Sequence, residues 1–214
     1  MKQHIFLFLF LIISCKKNES NIKVSLKDET LDLKYEVLNQ LITDDLKQDS
    51  IDLLDYHFGH DYVYNIKLQD VFLNQINNNS DEPPIPAFGI NLDYDSVFAV
   101  KDSAYYRNSV MLLSNFKLDR NKMKSKLEYI MDEDLEKIRK NSERSGNFWT
   151  AFNKKYKDKC IKTFSVPFFN KDKNICIVKY SMSCGALYGA GKTSVYKKIN
   201  GKWKFIRSFD TWIS

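Results

Sequence analysis

The sequence predicts an α+β fold in which N-terminal and central helices pack on a C-terminal antiparallel β-meander. The first observation is a change of hydrophobic period, from about 3.6 residues to about 2 in roughly the last fifty residues. The second is the dipeptide Asn200-Gly201, which is typical of a type I′ hairpin turn. The third is composition, because 43% hydrophobic and 14% aromatic residues with only seven glycines indicate a folded chain without a repeat architecture.

The first fourteen residues have the pattern of a secretory signal peptide. Lys2 precedes nine consecutive apolar residues, Ile5 to Ile13, which are followed by the small residue Ser14 and then by a strongly polar run. Nine apolar residues are too few to cross a bilayer as a helix, which needs about 20. Residues 1–14 are therefore predicted to be a cleaved signal peptide, and a transmembrane anchor is not expected.

The end of this segment, Ile12-Ile13-Ser14-Cys15, resembles the lipobox of bacterial lipoproteins. The resemblance implies that Cys15 becomes the first residue of the mature chain and carries the lipid. Palmitate is expected among its acyl chains. A buried strand is the alternative for the apolar run, but a strand seldom lies so close behind the initiating methionine. We therefore expect a lipid-anchored protein of the cell envelope, at the outer membrane, with residues 15–27 as a flexible tether.

Residues 28–214 are predicted to form a single α+β domain. The mature chain is about 200 residues long, which is enough for one core of ordinary size. Residues 75–86 (QINNNSDEPPIP) have the composition of a loop, since asparagines favour turns and the prolines prevent a continuing helix. If the domain has two parts, their boundary is expected there.

Apolar residues that recur every three or four positions predict the helices. The first contains Leu31, Tyr35, Leu38 and Ile42, with Asp28 or Thr30 as its N-cap. Further helices are predicted over 49–58, ended by Gly59, after Asp102 or Ser103, and over 122–140, ended by Ser145-Gly146.

Shorter apolar segments predict the strands, which lie at 61–73, 96–100, 163–168, 174–182, 193–199 and 202–210. The Asn200-Gly201 turn fixes the register of the last two strands. It places Tyr196 opposite Phe205 and Val195 opposite Ile206.

The cysteines lead to a prediction of a disulfide. A hairpin centred near Asp172 sets residues opposite each other when their numbers add to 344, which pairs Phe168 with Cys176 and Phe164 with Tyr180. The same register puts Cys160 opposite Cys184, within the Cα separation of about 4.4 to 6.8 Å that a disulfide requires. Export from the cytoplasm permits the bond, and Cys176 would stay free. The alternative is a slipped register with all three thiols reduced.

The stretch from Val166 to Ser214 resembles the C-terminal part of uncharacterised lipoproteins from Gram-negative bacteria. The residues that carry the likeness are Pro167-Phe168, the strand Ile175 to Tyr180, Cys184-Gly185, Gly189, Gly191, Gly201, Trp203 and Trp212-Ile213-Ser214. These residues cover about a quarter of the chain and mark structural positions. The resemblance implies a lipoprotein and no particular activity.

The charge is distributed very unevenly along the chain. Residues 15–100 contain 7 Lys and Arg against 16 Asp and Glu, whereas residues 101–214 contain 25 against 11. One interpretation is a basic surface that binds an anionic envelope polymer or protein. The other is that the two halves pack together and their charges largely cancel. Nucleic acid is not expected as a partner, because a lipid-anchored exported protein seldom meets it.

His57, His60 and Asp61, with Asp55, are the densest group of metal-ligand types in the sequence. Two histidines three residues apart can share a helical face and bind zinc or copper, or serve a hydrolase. Gly59 between them favours a helix end instead, where histidine interacts favourably with the helix dipole. We expect no cofactor and keep the metal-binding protein or hydrolase as the alternative function.

Three further patterns have simpler explanations than a functional site. Ala186 to Thr193 (ALYGAGKT) has the loose form of a phosphate-binding loop, but no helix is predicted after it, so a nucleotide is not expected. Cys184 could be a nucleophile only with a distant histidine. Four aromatic residues could stack on a sugar but are better explained as core; they are Trp203, Phe205, Phe209 and Trp212. The function expected from the sequence is therefore binding or interaction, without catalysis.

Overall fold

The computed structural model describes residues 27–55, 61–68, 102–142 and 147–214. The helices are α1 (Leu31–Asp55), α2 (Ser103–Ser114), α3 (Asp132–Ser142) and α4 (Phe148–Tyr156). The strands are β1 (Tyr62–Lys67), β2 (Tyr129–Ile130), β3 (Cys160–Ser165), β4 (Phe168–Phe169), β5 (Ile175–Ser183), β6 (Gly189–Ile199) and β7 (Lys202–Ile213). The predicted α+β class with a C-terminal antiparallel meander is confirmed. Within these ranges, every helix is too short or too polar to cross a membrane.

The strands form one mixed sheet in the order β2-β1-β3-β5-β6-β7, with β4 paired to β5 beside β3. From β3 to β7 the neighbours are antiparallel, as predicted. The sequence did not predict that β1 pairs in parallel with both β2 and β3. Parallel neighbours need long crossover connections, so no turn signal in the sequence announces them.

The helices cover both faces of the sheet. Successive side chains of a strand point to opposite faces. Val63 and Ile161 accordingly belong to a core shared with α3 and α4. Tyr64 and Phe164, one and three positions further on, belong to the larger core shared with α1 and α2. The result is a three-layer arrangement in which α1 lies against the inner face of the meander.

Helix α1 begins as the sequence predicts. The Asp28 carboxylate accepts hydrogen bonds from the Thr30 backbone N–H at 2.9 Å and from Lys34 Nζ at 2.6 Å. Burial raises the pKa of Asp28, but the hydrogen bonds from Lys34 and Thr30 outweigh it and the pKa is lowered below 3.8. The interaction therefore stabilises the fold above about pH 4 and is lost as the pH falls through the lowered pKa.

The separate helix predicted over residues 49–58 is wrong, because α1 continues without interruption to Asp55. Asp49, the predicted start of that helix, lies in the interior of α1. Its carboxylate instead binds Lys162 on the sheet, as described below. His57, Gly59 and His60 lie outside the described residues, as do the predicted strand at 96–100 and the boundary at 75–86.

The long helix predicted over 122–140 is confirmed only from Asp132 onward, and its first half is wrong. A short 3₁₀ turn at Arg120–Lys122 leads to strand β2, and α3 begins only at Asp132. Tertiary pairing overrides the helical spacing here, since β2 adds to the edge of β1. The Asn65 side chain stabilises the connection between β2 and α3 by donating to the Ile130 carbonyl at 3.1 Å and to Asp132 Oδ1 at 2.9 Å.

The hairpin between β6 and β7 has the predicted turn. Asn200 and Gly201 have φ of 50° and 75°, which are the positive values that a type I′ turn requires. Tyr196 pairs with Phe205, as predicted. The predicted pairing of Val195 with Ile206 is wrong, because a bulge after Val195 moves its partner to Arg207.

The register predicted for the β3–β5 pair is confirmed where Phe164 faces Tyr180. It does not extend to β4, where Phe168 faces Ile177 and Cys176 faces Phe169. The slip occurs across Val166-Pro167, since proline has no N–H for the ladder. At the other end, the structure contains a Cys160–Cys184 disulfide with a Cα separation of 4.4 Å, and Cys176 is a free, buried thiol.

Candidate functional site

An open groove lies between α1 and the inner face of the meander. Its volume is about 1340 Å³, and strands β3, β5, β6 and β7 form its wall opposite α1. Helix α1 lines it from Glu36 to Asp49. At 1.5 Å per residue this is about 20 Å of helix, so the groove suits an extended ligand. We refer to it as the α1 groove.

The floor of the α1 groove contains a buried lysine. Lys162 is 1% exposed, because its position on β3 points inward. Its Nζ donates to Asp45 Oδ2 at 2.9 Å and lies 2.6 Å from both carboxylate oxygens of Asp49. The ammonium also lies 4.0 Å from the ring centroid of Tyr62. A buried charge is tolerated only when it is paired in this way.

Asp45 and Asp49 meet Lys162 because they are four residues apart on α1 and share one face of the helix. The Asp45 carboxylate also accepts from Tyr64 Oη at 3.2 Å. Burial raises the pKa of Asp45 above 3.8, and the Lys162 ammonium offsets this only in part. Burial likewise raises the pKa of Tyr64 and Tyr180, which therefore stay protonated and act as donors. The floor is a closed network of charged and hydroxyl groups that satisfy one another.

Aromatic side chains line the part of the groove formed by the last strands. Trp203 is buried, and its Nε1 donates to Glu36 Oε1 at 3.1 Å. The rings of Tyr196 and Phe205 make a T-shaped contact with a centroid distance of 6.1 Å. Phe205 is 54% exposed and Tyr188 is 58% exposed, although both line the groove. This part of the groove therefore presents two solvent-accessible aromatic rings.

Each carboxylate that lines the groove has a cationic partner. Glu36 pairs with Lys198 at 2.7 Å, and Asp44 pairs with Lys47 at 3.9 Å. The two floor carboxylates share one ammonium, Lys162, so the floor keeps one negative charge. All four acidic side chains of the lining thus have a cationic partner.

Four lysines of the lining have no such partner. No carboxylate forms an ion pair with them among the residues that the structure describes; they are Lys124, Lys192, Lys202 and Lys204. Lys192 Nζ lies 5.9 Å from the ring centroid of Phe205, so one of these charges stands beside an exposed ring. Lys202 and Lys204 alternate along β7 with the buried Trp203, so their side chains leave from the opposite face and meet the groove only at its rim. The surplus positive charge that a ligand could meet therefore lies at Lys124, at Lys192 and along that rim.

The glycine-rich segment does not form a phosphate-binding loop. Lys192 and Thr193 lie within strand β6, whereas such a loop needs them at the start of a helix. The glycines allow close approach instead, because a Cβ on Gly191 would lie 2.4 Å from Trp212 Nε1. Lys192 nevertheless lines the α1 groove, so part of this motif belongs to the candidate site for another reason.

The other candidates from the sequence do not assemble a site in the described residues. Asp61 is exposed, and the described ranges contain no group of three side chains able to hold a metal. His57 and His60 lie outside those ranges, so the metal-binding or hydrolase alternative stays a prediction. Cys184 is joined to Cys160 and presents no free thiol as a nucleophile.

The sequence reasoning missed the residues that shape the groove. The sequence could have indicated the buried Lys162, because it is a lone cation at an inward-facing strand position between Cys160 and Phe164. Asp45 and Asp49 carry the matching signal of two carboxylates one helical turn apart. Of the four aromatic residues predicted to be core, Trp203 is buried as expected, whereas Phe205 is 54% exposed and Trp212 is 39% exposed. The side chain of Phe209 lies outside the described part of the structure.

The fold and the groove define the chain as an α+β protein with a cationic, partly aromatic groove. No protein-family model, curated protein or solved structure matches it.

Proposed function

We propose that this protein is a lipid-anchored cell-envelope protein that binds an anionic ligand in the α1 groove. The observation that carries the proposal is a set of four lysines for which the described part of the chain supplies no carboxylate partner, in a groove whose lining carboxylates all have a cationic partner. Binding, without catalysis, suits a floor in which Lys162, Asp45 and Asp49 are occupied with one another. The anchor is the lipid at Cys15, and the outer membrane is the proposed location.

The sign of the surplus charge follows from which charged side chains form ion pairs. Paired carboxylates and ammonium groups largely cancel each other at a distance, whereas an unpaired ammonium attracts anions over about 8 to 10 Å at physiological salt. Low-dielectric walls on either side of a groove strengthen that field. An extended anion lying along α1 would contact several of the four lysines at once, so an anionic polymer of the envelope is the proposed ligand.

Replacing three of these lysines, in Lys192→Ala/Lys202→Ala/Lys204→Ala, should weaken polyanion binding about 10- to 100-fold. Each charge contributes about 0.5 to 1 kcal/mol at a partly exposed site, and every 1.4 kcal/mol is tenfold. The measurement is calorimetric titration of the purified protein with polygalacturonate and with polyglutamate at low and physiological salt.

The matched control removes the same charge from the opposite face of the sheet. Lys140, Lys154 and Lys155 are exposed on α3 and α4, so their triple alanine variant should bind nearly as well as the wild type. An equal loss in both variants would show that net charge alone attracts the polyanion. An unchanged affinity in the groove variant would contradict the proposal.

The anchor has its own test. Cys15→Ser should abolish labelling by a fatty-acid analogue and move the protein from the membrane fraction to the soluble fraction. Several acyl chains are needed for stable attachment, because one chain at about 0.8 kcal/mol per CH₂ binds only marginally. An unmodified Cys15 in the mature protein, found by mass spectrometry, would end this part of the proposal.

A further inference from the structure

We infer that the ligand of the α1 groove is an acidic polysaccharide, an inference that rests on the proposed function and narrows it. Charge alone would accept any polyanion. The exposed rings beside the lysines add a requirement for flat, weakly polar surfaces on the ligand. A chain of sugar rings bearing carboxylates or sulfates meets both requirements.

The backbone that carries the two exposed rings is held in place. The Cys184 N–H donates to the Tyr188 carbonyl at 2.8 Å, and Cys184 is itself tied to β3 by the disulfide. Phe205 is in the ladder of β7, and its ring makes a T-shaped contact with that of Tyr196. An aromatic side chain has only two rotatable torsions, so it loses little freedom when a ligand covers it. The C–H face of a pyranose ring can pack on such a ring.

The position of Lys192 links charge to ring recognition. Its ammonium lies 5.9 Å from the centroid of Phe205, close enough for one sugar to contact both groups. A uronic acid carries a carboxylate on the same ring whose C–H face would stack. Tyr188 adds a phenolic hydroxyl at the groove, and sugar hydroxyls can both donate to it and accept from it.

Other polyanions fit these features less well. An acidic peptide has carboxylates but lacks a ring face on every repeat. Single-stranded nucleic acid stacks on aromatic rings and its phosphates can pair with lysine, but an exported protein of the proposed location seldom meets it. Acidic polysaccharide is therefore the class that the groove favours.

The test compares three polyanions on the wild-type protein and on Tyr188→Ala/Phe205→Ala. The probes are polygalacturonate, polyglutamate and single-stranded poly(dT), titrated at one salt concentration and compared per unit charge. The wild type should bind polygalacturonate about tenfold more tightly than the other two. The double variant should lose about tenfold for polygalacturonate and less than twofold for polyglutamate.

A conservative variant guards against a merely structural effect. Tyr188→Phe/Phe205→Tyr keeps both rings and should retain the preference for polygalacturonate, and circular dichroism checks that each variant is folded. Equal affinity for all three polymers, or an equal loss for all three in the alanine variant, would overturn the inference and leave the proposed function standing. Tighter binding of poly(dT) would overturn it in favour of nucleic acid. Failure of every polyanion to bind would reject the proposed function itself.

Discussion

Replacing Lys162 with methionine should lower the free energy of unfolding by about 3 to 5 kcal/mol. The reason is that Asp45 and Asp49 would stay in the floor of the α1 groove without the ammonium that now lies 2.9 and 2.6 Å from them. Removing one partner of a buried ion pair costs about this much, because the remaining charge has been taken out of water without compensation. Urea denaturation at pH 7 measures the effect.

The loss in the free energy of unfolding caused by Lys162→Met should become smaller as the pH falls. Without Lys162, burial and the neighbouring carboxylate would raise the pKa of Asp45 further above its ordinary value. Such a group favours the folded state in its protonated form, so the variant regains stability as Asp45 takes up a proton at acid pH. The wild type should recover less over the same range, because the Lys162 ammonium limits the rise of the Asp45 pKa. Denaturation curves at pH 7 and pH 5 make the comparison.

Two further variants make this prediction specific. Lys162→Met combined with Asp45→Asn and Asp49→Asn leaves no unpaired charge and should recover most of the loss. Lys140→Met, at an exposed position on α3, should change stability by less than about 0.5 kcal/mol. A Lys162→Met variant within about 1 kcal/mol of the wild type would contradict the buried network.

Removing the disulfide, in Cys160→Ala/Cys184→Ala, should cost about 3 to 4 kcal/mol. The two cysteines are 24 residues apart in sequence, and the loop that they close restricts the unfolded chain. The chain-entropy estimate for a loop of this size gives that range. Denaturation of the wild type with and without reductant should reproduce the difference.

Peptide mapping under non-reducing conditions checks the pairing itself. Cys160 and Cys184 should appear in one linked peptide pair, and Cys176 should be free. Burial raises the pKa of the Cys176 thiol well above its ordinary value, so it stays protonated and exchanges slowly with the disulfide. A Cys176–Cys184 link would contradict both the structure and the strand register.

Local signals in the sequence determined the meander and the beginning of α1. Asn200-Gly201 specifies its turn through two positive φ values, and the hairpin register near Phe164 follows from the hydrophobic pairs on either side of the turn. That register also located the disulfide, because pairing in an antiparallel ladder extends from residue to residue. The predicted register of this hairpin is wrong beyond Pro167, and that of the β6–β7 hairpin is wrong at the bulge after Val195, because the ladder is irregular at both places.

Only the tertiary structure decided the parallel half of the sheet and the α1 groove. Strand β2 pairs with β1 across more than sixty residues of sequence, and this pairing replaced the helix that the spacing around Met123 favoured. Lys162 meets Asp45 across 117 residues and Asp49 across 113. Composition and spacing describe only neighbours along the chain. Which charges are paired, and hence which lysines stay available to a ligand, depends on how α1 lies on the sheet.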